Sequence, residues 1–149
     1  MMGGGQQQLQ QLSQELQAID EEIETLQSEI DDLQTEQSEI DEAVEAIGTL
    51  DSGSTVQVPL GGGAYIRAEI QDIDEIIVDL GGDFAAEQDA DDAVDALRTK
   101  QDALDDRIDE VQEEVDDLEA ESSELEQQAQ QMQQQMQQQQ MQQMQGDGE

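Results

Sequence analysis

The chain has 149 residues, of which 40 are acidic and four basic, for a formal net charge of −36. That surface excludes nucleic acid and anionic membrane as partners, because both are held through Lys and Arg. With no Cys, no His, and Tyr65 and Phe84 as its aromatic residues, the chain lacks the means for disulfides, thiolate or imidazole chemistry and standard zinc sites.

Residues 1–8 are small and polar and are expected to form a flexible N-terminus. They lack the basic and apolar regions of a secretory signal, and no apolar run approaches the ~20 residues of a membrane helix. A cytoplasmic location is expected. From Leu9 a seven-residue repeat begins. Leu9, Leu16, Ile23, Ile30, Gln37 and Val44 form one set, and Leu12, Ile19, Leu26, Leu33, Ile40 and Ile47 the other. Alternating steps of three and four residues make the seam of a left-handed coiled coil. The first helix is therefore predicted over 9–47, with Gly48 as its stop.

The period then changes from 3.5 to 2. Val56, Val58 and Leu60 alternate along one strand, in which Pro59 calls for an edge position or for facing away from the ladder. Gly61, Gly62 and Gly63 permit a reversal into a second strand, with Ala64, Ile66, Ala68 and Ile70 on one face. A third strand spans 75–80, with Ile76, Val78 and Leu80 on one face. Gly81-Gly82 is expected to be a two-residue turn, and 83–87 the fourth strand. Two β-hairpins over 55–87 are thus predicted. Isolated hairpins are marginally stable in water, so these need partners.

The second helix is predicted over 89–136. Val94, Gln101, Ile108, Val115, Ser122, Ala129 and Met136 carry one set of seam positions. Ala90, Leu97, Leu104, Val111, Leu118, Leu125 and Met132 carry the other. Folded back, Ile47 meets Val94, Val44 meets Leu97, and the layers continue to Leu9 opposite Met132. Residues 137–149 are expected to be a Gln/Met-rich frayed tail. The fold class is α+β: a long antiparallel intrachain coiled coil joined by two β-hairpins.

In this register Gln37 and Gln101 occupy adjacent layers. A register-fixing role and a merely tolerated wet seam are both open. Arg98 falls near Asp41, and Arg107 near Glu36. Enzymatic function is not expected, because a two-helix arm has no cleft in which paired carboxylates acquire different environments. The acids between 72 and 92 do not follow the calcium-loop order. The glycines at 61–63 are not followed by the Lys and helix of a phosphate loop. Met132, Met136, Met141 and Met144 have three readings: soft ligands for Cu(I), simple packing, or packing plus a pliable surface for varied partners. No cofactor or metal is expected. The extreme acidity has two readings, disorder and adaptation to molar salt. The sustained heptads favour the second.

The order of parts also resembles a known family. A coiled-coil helix, then Val56-Gln57-Val58-Pro59-Leu60-Gly61, a second strand, Ile76-Ile77-Val78-Asp79-Leu80-Gly81-Gly82 and an acidic return helix are similar to the alpha subunits of archaeal prefoldin. The resemblance implies hairpins that assemble into an intersubunit β-barrel, within a hexamer of two alpha and four beta subunits. It implies an ATP-independent chaperone, a holdase, that captures unfolded proteins at the coiled-coil tips and transfers them to a group II chaperonin. Assembly would then fall to Val56, Val58, Leu60, Ile66, Ile76, Val78 and Leu80. Client binding would fall to Leu9, Leu12, Leu16, Leu125, Met132, Met136, Met141 and Met144. The alternatives are a structural coiled-coil tether without client activity, and a disordered acidic solubility factor.

Overall fold

The structure is a computed structural model describing residues 2–146; Met1 and residues 147–149, parts of the lead-in and tail segments, lie outside the described residues. Six elements follow in chain order. They are helix α1 (Met2–Thr49), strands β1 (Thr55–Gly61), β2 (Ala64–Glu69), β3 (Ile76–Gly81) and β4 (Phe84–Gln88), and helix α2 (Ala90–Gly146). They divide into two compact units. One holds residues 32–108 with both hairpins; the other holds the helical residues up to 31 and from 109.

In the hairpin-bearing unit, β1 pairs antiparallel with β2 and β3 with β4, as two separate two-stranded sheets. Val58 lies opposite Ile66, and Val78 opposite Ala86. β1 pairs on one side only, which suits Pro59, a residue without a backbone donor. Both ladders shift one residue before the turn, between Pro59 and Gly61 and between Asp79 and Gly81. Gly61 then pairs with Ala64, and Gly81 with Phe84. The two-residue loops are therefore Gly62-Gly63 and Gly82-Asp83. All four have positive φ, at 59° and 82°, then 56° and 64°. Positive φ at both central positions is the turn whose twist matches the strands. The second turn thus lies one residue beyond the expected Gly81-Gly82, because Gly81 is used in the bulge. Asp83 takes the left-handed conformation, which Asp tolerates better than most residues.

Gly62→Val and Gly82→Val should each cost about 1–2 kcal/mol or more, because a β-branched side chain clashes in this region. Since each hairpin is marginal by itself, both variants are expected to keep their helical circular dichroism while losing mass in native mass spectrometry of the complex.

The linkers are held by polar caps. Ser54 and Ile70 extend the first ladder, with Ile70 N donating to Ser54 O at 2.8 Å and Gly53 N to Ile70 O at 2.7 Å. Ser52 Oγ accepts from Ile73 N at 3.0 Å, which ties the two hairpin connections together. Asp89 caps α2, its carboxylate accepting from Asp92 N at 2.8 Å; an oxygen side chain at this position satisfies a donor that the first turn leaves free. Gly48 does not act as the helix stop. It lies inside the last turn of α1, and its φ is not positive. The helix instead closes with Leu50 N and Thr49 Oγ1 both donating to Ala46 O at 3.0 Å. Lys100 Nζ, the one lysine nitrogen of the chain, donates to Asp79 O at 2.7 Å and joins α2 to β3.

The seam residues follow the expected heptads. Ile19, Ile30 and Ile40 on α1, and Val111 and Val115 on α2, are buried; Val111 and Val115 are enclosed completely. The remaining named seam positions of both helices are half-buried, and the residues between them are exposed, apart from Ala43, Ala93, Ala96, Lys100 and Glu29. Ala93, fully buried, was not among the expected core residues. It stands beside Val94 in the first turn of α2, where the seam begins.

Both helices exceed their expected limits. α1 runs over residues 2–8, and α2 continues through 137–146. Gly5 explains the first extension: a Cβ built on it would stand 3.4 Å from Met136 Sδ. Packing against α2 overrides the ~1 kcal/mol that a glycine costs in a helix. In the tail, Gln is a good helix former.

Candidate functional site

Three groups of residues stand out, each within one unit. The first is a polar network in the seam of the hairpin-bearing unit. Gln101 Nε2 donates to Gln37 O at 3.2 Å, and Gln37 Nε2 donates back to Gln101 O at 3.5 Å. Gln37 Nε2 also donates to the Asp105 carboxylate. Gln101 Nε2 reaches Asp41 Oδ1 at 2.9 Å, while Arg98 donates to Asp41 Oδ1 at 2.7 Å and to Gln101 Oε1 at 2.6 Å. The Arg98–Asp41 ion pair is one of the two expected from the register. Each glutamine thus bonds to the backbone of the opposite helix and to a carboxylate on it, which accords with the register-fixing reading. A slip by one heptad would part Gln37 from Asp105 and Gln101 from Asp41, so the side-chain bonds are the ones that depend on register.

The hydrogen bond from Gln101, then the one from Arg98 and its charge, hold the Asp41 carboxyl below its usual range. A depressed folded-state pKa contributes stability that is complete above the unfolded value and is lost as pH falls through the folded one. The contribution of Asp41 to stability should therefore be lost as pH falls below about 4, and Asp41→Asn should flatten the part of the pH profile of Tm in molar salt that is due to this residue.

The second group is on the hairpins. Among the described residues, the large apolar side chains standing exposed are Val58, Leu60, Tyr65, Ile66, Ile77, Leu80 and Phe84, with Met141 and Met144. Of the seven residues expected for assembly, Val58, Leu60, Ile66 and Leu80 are exposed, and Val56 and Ile76 are half-buried. Val78 is different. Only 4% of it is exposed, so its side chain is already enclosed within the chain. Tyr65, Ile77 and Phe84 were missed, although Ile77 and Phe84 are each 75% exposed. Alternation assigns one apolar face per strand, but a two-stranded sheet with nothing stacked on it leaves both faces open. The scarcity of aromatic residues was the available signal for Tyr65 and Phe84.

The third group is at the chain-terminal ends of the two helices, in the other unit. Leu9, Leu12, Leu16, Leu125, Met132 and Met136 are half-buried in the seam. Gln8, Gln11, Leu12, Glu15, Gln128 and Met132 line a shallow cavity of about 220 Å³. Met141 and Met144 are 70% and 81% exposed and line a second depression with Gln137, Gln140 and Gln143. The eight residues expected to meet clients thus share one unit, six in the seam and two in solvent.

The family of this chain follows from residues 19–142, which match the Prefoldin subunit family. The chain belongs to the prefoldin family. It is similar to the prefoldin alpha subunit of Halorubrum lacusprofundi, 78% identical over 102 residues covering 68% of this chain and 67% of that one. The prefoldin alpha subunit of Haloquadratum walsbyi is 81% identical over 103 residues, 68% of this chain and 67% of that one. That of Halobacterium salinarum is 72% identical over 99 residues, 66% and 64%. The matched region therefore spans about two thirds of these relatives. A cryo-EM structure of filamentous PFD from Methanocaldococcus jannaschii is 26% identical, with a TM-score of 0.44, over 72% of this chain and 98% of that one. The prefoldin relatives named are haloarchaeal alpha subunits, which accords with the −36 charge. Prefoldin subunits assemble with other prefoldin subunits, and exposed hairpins are surfaces that such assembly can cover. Among the described residues no helix is long and apolar enough to cross a membrane.

Proposed function

We propose that this chain is the alpha subunit of a cytoplasmic, ATP-independent holdase. Its hairpins join those of prefoldin beta subunits, in a hexamer of two alpha and four beta chains, to close an intersubunit β-barrel. Unfolded proteins are captured at the chain-terminal ends of the helix pair and passed to a group II chaperonin. The observation that carries this reading is the segregation of exposed apolar residues into two sets, one on the hairpins and one at Met141 and Met144. The hairpin set supplies edges and apolar faces that two-stranded sheets cannot bury alone. Val58, Leu60, Ile66 and Leu80, joined by Tyr65, Ile77 and Phe84, are the contacts proposed for it. The methionine set suits clients of varied shape, because thioether side chains are flexible and polarizable. Leu9, Leu12, Leu16, Leu125, Met132 and Met136 add to that surface where the seam opens.

The test is aggregation of a chemically unfolded, unrelated protein diluted into molar KCl without ATP. The complex should suppress light scattering at stoichiometric amounts, and chaperonin with ATP should then recover native client. Failure of a correctly assembled complex to suppress scattering would leave the structural tether as the better description.

A further inference from the structure

The acidic residues stop at the same level on both helices. Glu15 is the first charged side chain of α1, and Glu126 is the last of α2 before a run of Gln, Met and Ala up to Gly146. In the heptad pairing Leu16 and Leu125 share a layer, so Glu15, just before one, and Glu126, just after the other, stand at one level. The packing agrees: Glu15 lines one cavity with Gln128 and Met132, and Gly5 approaches Met136. Residues 2–14 and 127–146 thus form one uncharged cap in a chain of net charge −36. Two helix ends distant in sequence lose their charge together, where acids cover the exposed face elsewhere.

The cap is also amide-rich. Its exposed positions are almost all Gln, on both helices. Gln and Glu differ little in shape, but they differ in what they accept at a contact. A carboxylate has acceptors only, and stripping its water costs several kcal/mol. An amide offers donors and an acceptor, matching the N–H and C=O of an extended chain, and its desolvation is repaid when those bonds form. This contrast persists in molar salt, where a Debye length of about 3 Å erases long-range repulsion but not the cost of desolvation at contact.

We propose that the cap selects uncharged, extended polypeptide, its glutamine amides hydrogen-bonding client backbone while Met and Leu side chains contact client apolar groups, and that it turns away acidic surfaces. This rests on the holdase reading and names the chemistry of its ligand. It assigns a role to the glutamines, which packing alone leaves without one.

The experiment uses the assembled complex in molar KCl and two fluorescent unfolded peptides, one of Gly, Ser and Leu and one with each Ser replaced by Glu. The unmodified complex should bind the neutral peptide about tenfold more tightly than the acidic one. Gln131→Glu, Gln133→Glu and Gln138→Glu together avoid like charges three or four residues apart. They should weaken neutral-peptide binding about tenfold with helicity unchanged. Gln17→Glu, Gln27→Glu and Ser123→Glu, outside the cap, should leave it unchanged. A photo-crosslinking neutral peptide on the unmodified complex needs no variant and should label residues 5–12 or 128–144. Equal binding of the two peptides, equal binding by the cap variant, or labelling confined to the acidic stretches would overturn the proposal. A complex that binds neither peptide and protects no unfolded protein would instead overturn the holdase reading itself.

Discussion

Transfer from molar KCl to about 0.1 M salt is expected to melt the helices at ordinary temperature, as the Debye length grows from about 3 Å to about 10 Å. The cause is visible along α2. Asp109 and Glu113, Glu110 and Glu114, Glu113 and Asp117, and Asp117 and Glu121 are each four residues apart on one exposed face. Each such like-charge pair opposes the helix by about 0.2–0.5 kcal/mol when unscreened. Four basic residues cannot offset 40 acidic ones. Summed over both helices the penalty is on the order of several kcal/mol, enough to lower Tm by roughly 20 °C. Circular dichroism at 222 nm against KCl concentration is the measurement. Glu113→Gln with Asp117→Asn should make the dependence shallower.

Val111→Asp should abolish the helical pairing of its unit at any salt concentration. Val111 and Val115 are fully enclosed, in a seam only one side chain deep on each helix. A carboxylate placed there loses its water with no partner to replace it, at a cost of at least about 3 kcal/mol. Val111→Ala, which removes two methyl groups, should cost about 2 kcal/mol and remain folded. Salt separates this effect from the previous one: molar KCl should rescue the unmodified chain but not Val111→Asp. The same substitution at exposed Gln130 should be tolerated in molar salt.

These contrasts also explain what was legible in the sequence. The seam is repetitive, so each apolar position repeats the signal of the one before. Apart from Ala93, the heptads therefore located the buried residues of both helices, the Arg98–Asp41 pair and the adjacent layers of Gln37 and Gln101. Helix ends carry no such repetition. Residues 2–8 contain three glycines and do not read as helix, yet Gly5 packs against Met136 and the helix persists. The second turn was misplaced by one residue because Gly81 and Gly82 both favour positive φ, while Asp83 can also adopt it. Only the ladder shift after Asp79 shows which pair closes the loop. On the hairpins, alternation separates two faces but does not say what covers each. Val78 is enclosed within its own chain, and Ile77 on the other face is open. For such short strands the burial of a side chain depends on elements distant in sequence, and for the open faces on other subunits.

In the proposed function the chain is divided by task, with hairpins for assembly and the uncharged helix ends for clients. Deletion of residues 127–149 tests that division most directly, measured as native mass and as light scattering from an unfolded client in molar KCl without ATP. The truncated subunit should enter a complex of full subunit number that no longer delays client aggregation. A truncated complex that protects clients as well as the complete one, or a truncated subunit that cannot assemble, would contradict it.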